Sequence, residues 1–254
     1  MAHYKVILAY DGTLYRGSQR QLNEVRTVQG VVDQALLKLG WTESSTKFAG
    51  RTDAGVHASG QVFTFSLNWR HSLDDLRSAL NALLPNDSSV RQVTEVSKDF
   101  HPRYHAVARS YRYRIFSDSV RNPLKEKYAW RVWPAPELGL LHAAANEFLG
   151  IHDFAAFGSP TSPDGPTVRE LMAAFWHYDG DDLIFDVTAN AFLYHMVRRL
   201  VHVQVAVGQG KLQLDDLIAH LQTPNDPPIQ GLAPSQGLSL IKVHYPVQSG
   251  GESR

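Results

Sequence analysis

The sequence contains no cysteine among its 254 residues. This absence excludes disulfide bonds, zinc or iron–sulfur sites built from thiolates, and a catalytic thiol. Any nucleophilic chemistry therefore has to use oxygen or nitrogen.

Long apolar segments and net charge are also missing. No stretch approaches the roughly 20 apolar residues that a membrane span needs, and the N-terminus lacks the pattern of a secretory signal. We therefore expect a cytoplasmic protein without membrane association. Lys and Arg total 25, as do Asp and Glu, so any surface that binds nucleic acid has to be local.

The hydrophobic content, 43%, is high enough for a sizeable core, and the length fits one large domain or two of roughly 125 residues. Apolar periodicity and turn residues predict the order β-α-β-β-α-β in the first half. The predicted elements are strand Tyr4–Tyr10, a helix capped by Thr27, strands Lys47–Ala49 and Gln61–Leu67, a helix from Ser72 to Leu84, and strand Val90–Val96.

The second half repeats this order. The predicted elements are strand Ala106–Phe116, helix Pro136–Leu149, strands Val168–Tyr178 and Leu183–Thr188, helices Ala191–Val207 and Leu214–Leu221, and strand Leu238–Tyr245. Two split βαββαβ units in tandem indicate an α+β fold with two ferredoxin-like halves, whose antiparallel sheets join and carry helices on one side. We expect halves at 1–103 and 104–247, with the seam near Asp99–Tyr104, and a disordered tail at 248–254.

The segment Gly50–Ala58 (GRTDAGVHA) separates two predicted strands. It is longer than the two to five residues of an ordinary hairpin connection. Gly50 and Gly55 bracket Asp53 and would let a bulky ligand approach the carboxylate, while Arg51 can bind a phosphate or hold a carboxylate ionised. Alternatively, Asp53 makes only an Asx-turn and Arg51 covers the surface.

A basic run lies between His101 and Arg131. Its eight cations stand against two acids, Asp118 and Glu126, and are Arg103, Arg109, Arg112, Arg114, Arg121, Lys125, Lys127 and Arg131. On a strand, Tyr111 and Tyr113 would share the face opposite Arg112 and Arg114. This composition is typical of RNA binding, although a sheet with aromatic residues in the core and arginines in solvent would look the same.

The predicted helix that contains Asn190–Arg199 is apolar on most of its surface. At least one of Arg198 and Arg199 is therefore expected to face a carboxylate or a phosphate. The alternative is that they extend along the helix flank to solvent.

Together these segments resemble the tRNA pseudouridine synthases of the TruA type. The resemblance runs in order across nearly the whole chain and rests on Tyr10–Thr13, Gly17-x-Gln19-x-Gln21, Thr27–Gln29, Gly50–Ala58, Asn81–Pro85, Phe100-His101-x-Arg103, Tyr111–Tyr113, Asn190–Arg198, and Gly237-Leu238-x-Leu240 with Val243 and Tyr245. Gly50–Ala58 is the most specific part.

The resemblance implies a role for five residues. Asp53 would be the nucleophile, Tyr111 would pack on the target uracil, Arg51 would help to extrude the base, Arg198 would be the basic partner of the aspartate, and Leu238 would form an apolar wall. Ser18 departs from the pattern, because the family usually has tryptophan there. This departure leaves the catalytic residues intact but affects local packing.

The implied reaction converts uridine to pseudouridine at positions 38, 39 and 40 of the tRNA anticodon stem-loop, by a homodimer that holds one tRNA. A carboxylate can act by attacking C1′ of the sugar or C6 of uracil, or by removing a proton from C2′. The reaction requires no cofactor, and no cofactor motif or metal cluster is evident. His57, near Asp53, is expected to position the loop, with a general-base role as the alternative.

Two rival functions are compatible with parts of the sequence. A non-catalytic RNA-binding protein with two RRM-like halves would share the element order, but neither half has an RNP1-like run. A glycoside hydrolase would usually need a second carboxylate as general acid, and no matching acidic loop is present.

Overall fold

The computed structural model describes residues 1–21, 25–162, 164–223 and 229–246. These residues form one mixed sheet with helices packed on one side. No helix within these ranges is long and apolar enough to cross a membrane. The expected tail at 248–254 lies outside the described residues.

The first half has the predicted order of elements. They are β1 (Ala2–Tyr10), α1 (Val28–Lys38), β2 (Lys47–Phe48), β3 (His57–Leu67), α2 (Leu73–Leu83) and β4 (Ser88–Val96). Strand β3 begins four residues earlier than predicted, because the end of the Gly50–Ala58 segment already pairs with neighbouring strands.

Two predicted helix starts are confirmed. The Thr27 hydroxyl accepts a hydrogen bond from the Gly30 N–H at 3.2 Å. Ser72 and Asp75 form a reciprocal capping box, in which each side chain accepts from the other's backbone N–H. These bonds satisfy N–H groups that have no partner within the helix, and they determine where α1 and α2 begin.

The second half also follows the predicted order, with additions. Its elements are β5 (Ala108–Phe116), β6 (Trp130–Arg131), α3 (Leu138–Glu147), β7 (Gly150–Asp153), β8 (Val168–Asp179), β9 (Asp182–Ala189), α4 (Met196–Gly208), α5 (Leu214–Gln222) and β10 (Leu238–His244). The sequence did not predict the short strands β6 and β7.

Helix α4 begins at Met196, five residues later than predicted. The backbone N–H and C=O of Tyr194 pair with Ser159 at 2.8 and 3.2 Å, so they are not available to a helix. The Asn190 carboxamide oxygen accepts from the N–H of Ala191 and holds the start of this segment. Asn190–Tyr194 therefore lies outside the helix, in front of its first turn.

The predicted fold class is confirmed by the strand order β4-β1-β3-β10-β5-β9-β8-β7, with β2 paired to β3. Each half shows the arrangement expected of a split βαββαβ unit, with its first and third strands in the centre. The halves meet where β10 pairs with β3, and this pairing is parallel. A Cβ atom on Gly60 would overlap the carbonyl oxygen of Ile241, so glycine permits the close approach at this junction.

Each half has its own hydrophobic core. The first contains Val6, Phe63 and Leu76, and the second contains Trp176 and Leu200. The partly buried Tyr111 packs against both cores, which places it at the junction of the halves.

Candidate active site

A cleft of about 1140 Å³ opens at the junction of the two halves. All five residues to which the sequence resemblance gave a role line it: Arg51, Asp53, Tyr111, Arg198 and Leu238. They come from four separate parts of the chain, so the fold brings together residues up to 187 positions apart (51 to 238).

Asp53 lies on a loop that is held rigidly at its neighbour, Thr52. The N–H of Thr52 donates to Ser18 Oγ at 2.8 Å, and the N–H of Ser18 donates to the carbonyl of Thr52 at 3.0 Å. The hydroxyls of Tyr10 and Thr52 are 2.8 Å apart, and all these groups are buried. Gly55 adopts φ +78°, which turns the chain back behind the carboxylate.

One oxygen of the Asp53 carboxylate has two basic neighbours. Arg198 Nη1 donates to Oδ2 at 3.0 Å, and His195 Nε2 lies 3.4 Å from the same oxygen. Oδ1 accepts no hydrogen bond from the described part of the chain. The carboxylate is therefore oriented through one oxygen while the other is available to a ligand.

Arg198 is itself fixed in position. Its Nε donates to the carbonyl of Ala233 at 2.7 Å, and the N–H of Ala233 donates to the carbonyl of Arg198 at 3.2 Å. The side chain is 14% exposed. A partly buried arginine with two fixed partners provides a preorganised positive charge beside Asp53.

His195 has a strained backbone, with φ +65°, and it is the one non-glycine residue with positive φ among those described. The ring of Tyr194 stacks on its imidazole at 3.7 Å. Burial lowers the pKa of His195, and the nearby Asp53 charge opposes that effect. Sequence reasoning gave this residue no role, because a left-handed residue before a helix has no clear sequence signal.

Tyr111 and Tyr113 of β5 occupy different environments. Tyr111 reaches the cleft and packs edge to face on Phe192 at 5.1 Å, and burial raises its pKa far above the ordinary value. Tyr113 is fully buried, and its hydroxyl donates to the carbonyl of Pro234 at 2.7 Å. Leu238 lies opposite Tyr113 in the sheet and is 6% exposed. It forms part of the apolar wall of the cleft.

The lining of the cleft is strongly basic. One acidic side chain, Asp53, lines it together with six lysines and arginines in the described chain: Arg16, Lys47, Arg51, Arg103, Arg109 and Arg198. Arg51 is exposed and forms no ion pair with another described residue. A concave basic surface on a neutral protein is suited to a polyanion.

Most of the basic run predicted from the sequence is not part of this surface. Arg112 forms a two-pronged ion pair with Asp186, and both bonds are 2.8 Å long. The other paired cations are Arg114 and Lys125 with Asp182, Arg121 and Arg131 with Glu126, and Lys127 with Asp11. The sequence did not indicate these ion pairs, because most of the acids that form them come from distant parts of the sequence.

His57 lies behind the Asp53 loop and does not line the cleft. Its Nδ1 accepts from the N–H of Gly12 at 2.9 Å, so Nε2 carries the proton and donates to the carbonyl of Gln236 at 3.1 Å. Burial lowers its pKa, which favours this neutral form. With both nitrogens occupied, His57 is suited to position the loop rather than to act as a base.

The described residues contain no group of three His, Asp or Glu side chains that could hold a metal ion. His101 and His105, which are four residues apart, lie in a turn, where Nδ1 of His105 accepts from the N–H of His101.

A family model and individual relatives both match this chain over most of its length. A family model described as "tRNA pseudouridine synthase" matches residues 6–105 and 144–246. A protein named tRNA pseudouridine synthase A from Geobacter sp. (strain M21) is 38% identical over 247 residues, which cover 97% of this chain and all of that protein. The protein of the same name from Roseiflexus castenholzii is 40% identical over 250 residues, covering 97% and 92%.

Among solved structures, the chain aligns with one titled "Crystal Structure of a Cbf5-Nop10-Gar1 Complex". The TM-score is 0.36 at 12% identity, and the alignment covers 80% of this chain and 45% of the other.

Proposed function

The chain belongs to the tRNA pseudouridine synthase family, and on this premise we propose that Asp53 is the nucleophile with which it isomerises uridine in tRNA. The reaction breaks the N1–C1′ bond, rotates the uracil and joins C5 to C1′, while C5 loses its proton to solvent and N1 gains one. The observation that carries the proposal is the position of Asp53 as the single acidic side chain among the described residues that line the basic cleft.

The contacts of Asp53 support this role. Arg198 and His195 both approach Oδ2, so the negative charge is stabilised while Oδ1 stays open to the substrate. A fixed carboxylate oxygen can attack C1′ or C6, or can take a proton from C2′. Each of these steps needs the carboxylate to be oriented before the substrate arrives, and Ser18 and Arg198 provide that orientation.

The remaining site residues have complementary functions in this proposal. Tyr111 offers an aromatic ring to the extruded uracil, and Leu238 forms the apolar wall behind it. Arg51, exposed beside Asp53, contacts the phosphate backbone or fills the space left by the base. Extrusion of a base costs a few kcal/mol, which these contacts have to offset.

The target positions in the proposal are uridines 38, 39 and 40 of the anticodon stem-loop. The test uses the purified protein and three tRNA transcripts, each with uridine at one of these positions and cytidine at the other two. We expect pseudouridine at the single uridine offered in each transcript. Modification elsewhere in the tRNA, with none at these positions, would contradict this part of the proposal.

We further propose that the protein is cytoplasmic and that two copies form a homodimer that holds one tRNA. Within each copy, the boundary between the two halves of the fold lies between residues 103 and 104. Exposed apolar side chains on the outer strands, Ile151, Met172 and Phe175, offer a surface that a second copy can cover. Sedimentation equilibrium should give twice the chain mass, and a purely monomeric protein that is fully active would contradict the dimer.

A further inference from the structure

Two tyrosines at the cleft remain exposed although they are large and aromatic. Tyr104 is 76% exposed and Tyr194 is 55% exposed, and both line the same cleft as Asp53. They lie on separate segments, one between β4 and β5 and the other between β9 and α4. Neither residue has a function in the catalytic arrangement above.

Each tyrosine has one face covered by a histidine ring. The ring centroids of Tyr104 and His101 are 4.3 Å apart, and the two ring planes differ by 33°. The ring centroids of Tyr194 and His195 are 3.7 Å apart, and their planes differ by 26°. No second ring packs on either tyrosine in the part of the chain that the structure describes. A histidine ring on one face and exposure on the other leave a flat surface on which another ring can stack.

Hydrogen bonds also fix the supporting segments. His101 Nδ1 accepts hydrogen bonds from the backbone N–H of Arg103 at 3.2 Å and from that of Tyr104 at 3.4 Å. These bonds fix the turn that carries Tyr104. The β-bridge to Ser159 holds the backbone of Tyr194. Residues that are already ordered lose little conformational entropy when a ligand binds.

One guanidinium connects both tyrosine segments to the loop that carries Asp53. Arg109 donates to the carbonyls of Arg103 at 2.8 Å, Asn190 at 3.0 Å and Ala49 at 3.2 Å. These three carbonyls belong to the turn of Tyr104, the segment of Tyr194 and the loop before Asp53. The backbone segments that carry the two tyrosines are thus tied to the loop that carries Asp53.

We propose that Tyr104 and Tyr194 are stacking platforms for unpaired nucleobases next to the target uridine. The inference rests on the proposed function, because a uridine that leaves its stack deprives its neighbours of a stacking partner. Stacking on an aromatic side chain is available to every base and is therefore tolerant of sequence. Arg103 and Lys47, which also line the cleft, are placed to contact the phosphates between such bases.

The test measures the Kd of an anticodon stem-loop RNA by fluorescence anisotropy. We expect Tyr104→Ala and Tyr194→Ala each to weaken binding by roughly 5- to 150-fold, and the two Tyr→Phe variants to stay within about twofold of wild type. Tyr178→Ala is the matched control, because Tyr178 is 58% exposed on β8 but does not line the cleft.

A set of RNAs with one abasic residue separates stacking from a merely structural effect. Four such RNAs are used, with the abasic residue at the first or the second nucleotide on the 5′ side of the target, or at the first or the second nucleotide on its 3′ side. If a tyrosine stacks on one of these bases, removing that base should abolish the difference between wild type and the alanine variant. A loss that persists with all four abasic RNAs, or no loss with intact RNA, would overturn the proposal.

The same RNA separates this inference from the proposed function. Wild-type protein that binds the stem-loop without forming pseudouridine would contradict the proposed target positions. The platforms would still be tested, because their readout is Kd rather than turnover.

Discussion

Ser18 Oγ accepts a hydrogen bond of 2.8 Å from the backbone N–H of Thr52, the residue immediately before Asp53. The Ser18 side chain is almost completely buried, and its own N–H donates to the carbonyl of Thr52. Tryptophan, the residue that the resemblance implies at this position, has no acceptor for this N–H. In this chain the serine therefore anchors the loop that carries the carboxylate.

Ser18→Ala should leave a buried N–H without a partner, at a cost of about 1–3 kcal/mol in the free energy of unfolding. We also expect kcat to fall more than KM changes, because Asp53 loses its orientation. Ser89→Ala is the control, since its hydroxyl makes only an exposed 3.4 Å contact with Asn81. Equal unfolding and kinetic behaviour of the two variants would contradict this role of Ser18.

Arg198→Met should lower kcat by about a hundredfold, because a carboxylate displaced by about 1 Å loses that much rate. Methionine retains most of the apolar stem but none of the hydrogen bonds to Asp53 and Ala233. Steady-state kinetics on tRNA provide the measurement. Arg112→Met removes an ion pair outside the cleft and should leave kcat within about twofold, since it makes no contact with the site.

Binding of tRNA should weaken steeply with salt although the protein has no net charge. Each phosphate neutralised adds about 0.7 to 0.9 to the slope of log affinity against log salt. Arg51→Ala and Arg103→Ala should each reduce the slope by the contribution of about one phosphate contact, whereas Arg112→Met should not change the slope. A slope near zero for wild type, or a reduction with Arg112→Met alone, would show that the cleft is not the RNA surface.

Much of the fold could be predicted from local patterns. The cap at Thr27, the box at Ser72 and the alternation along β1 depend on residues close together in sequence, and the predicted elements are confirmed there. The partners of Arg112 and Arg114 could not be predicted, because Asp186 and Asp182 become neighbours only through the pairing of β5 with β9.

The candidate site could also be predicted only where local sequence patterns determine it. The Gly50–Ala58 motif indicated Asp53 and Arg51. The apolar helix indicated only that Arg198 or Arg199 faces a charged group, and the resemblance gave Arg198 as the partner of Asp53. His195 did not follow, because its approach to Asp53 depends on a left-handed backbone and on a β-bridge between Tyr194 and Ser159. Such contacts are set by tertiary structure rather than by local preference.

Tyr111→Phe and Tyr111→Ala should separate the hydroxyl from the ring. Burial raises the pKa of Tyr111, so its hydroxyl stays protonated and can donate a hydrogen bond to the substrate, and Phe should impair turnover without weakening binding. Ala should also weaken productive binding, because base–aromatic stacking contributes about 1–3 kcal/mol.

The effect of Tyr111→Ala should be larger for a uridine in the stem than for one already unpaired in the loop, because extrusion from a stem costs a few kcal/mol more. Single-turnover rates on two matched stem-loops measure this difference. Equal losses on both substrates, or the same effect from Tyr113→Ala alone, would mean that Tyr111 is not the residue that packs on the uracil.

The central claim is that the Asp53 carboxylate performs the chemistry, and Asp53→Asn tests it most directly. The amide has nearly the same volume, so the fold and the Kd for tRNA should change little while the nucleophile is lost. The measurement is tritium release from tRNA that carries uridine labelled at C5, under single-turnover conditions. The account predicts a rate below about a thousandth of wild type, and a variant that binds tRNA and exceeds this rate would contradict it.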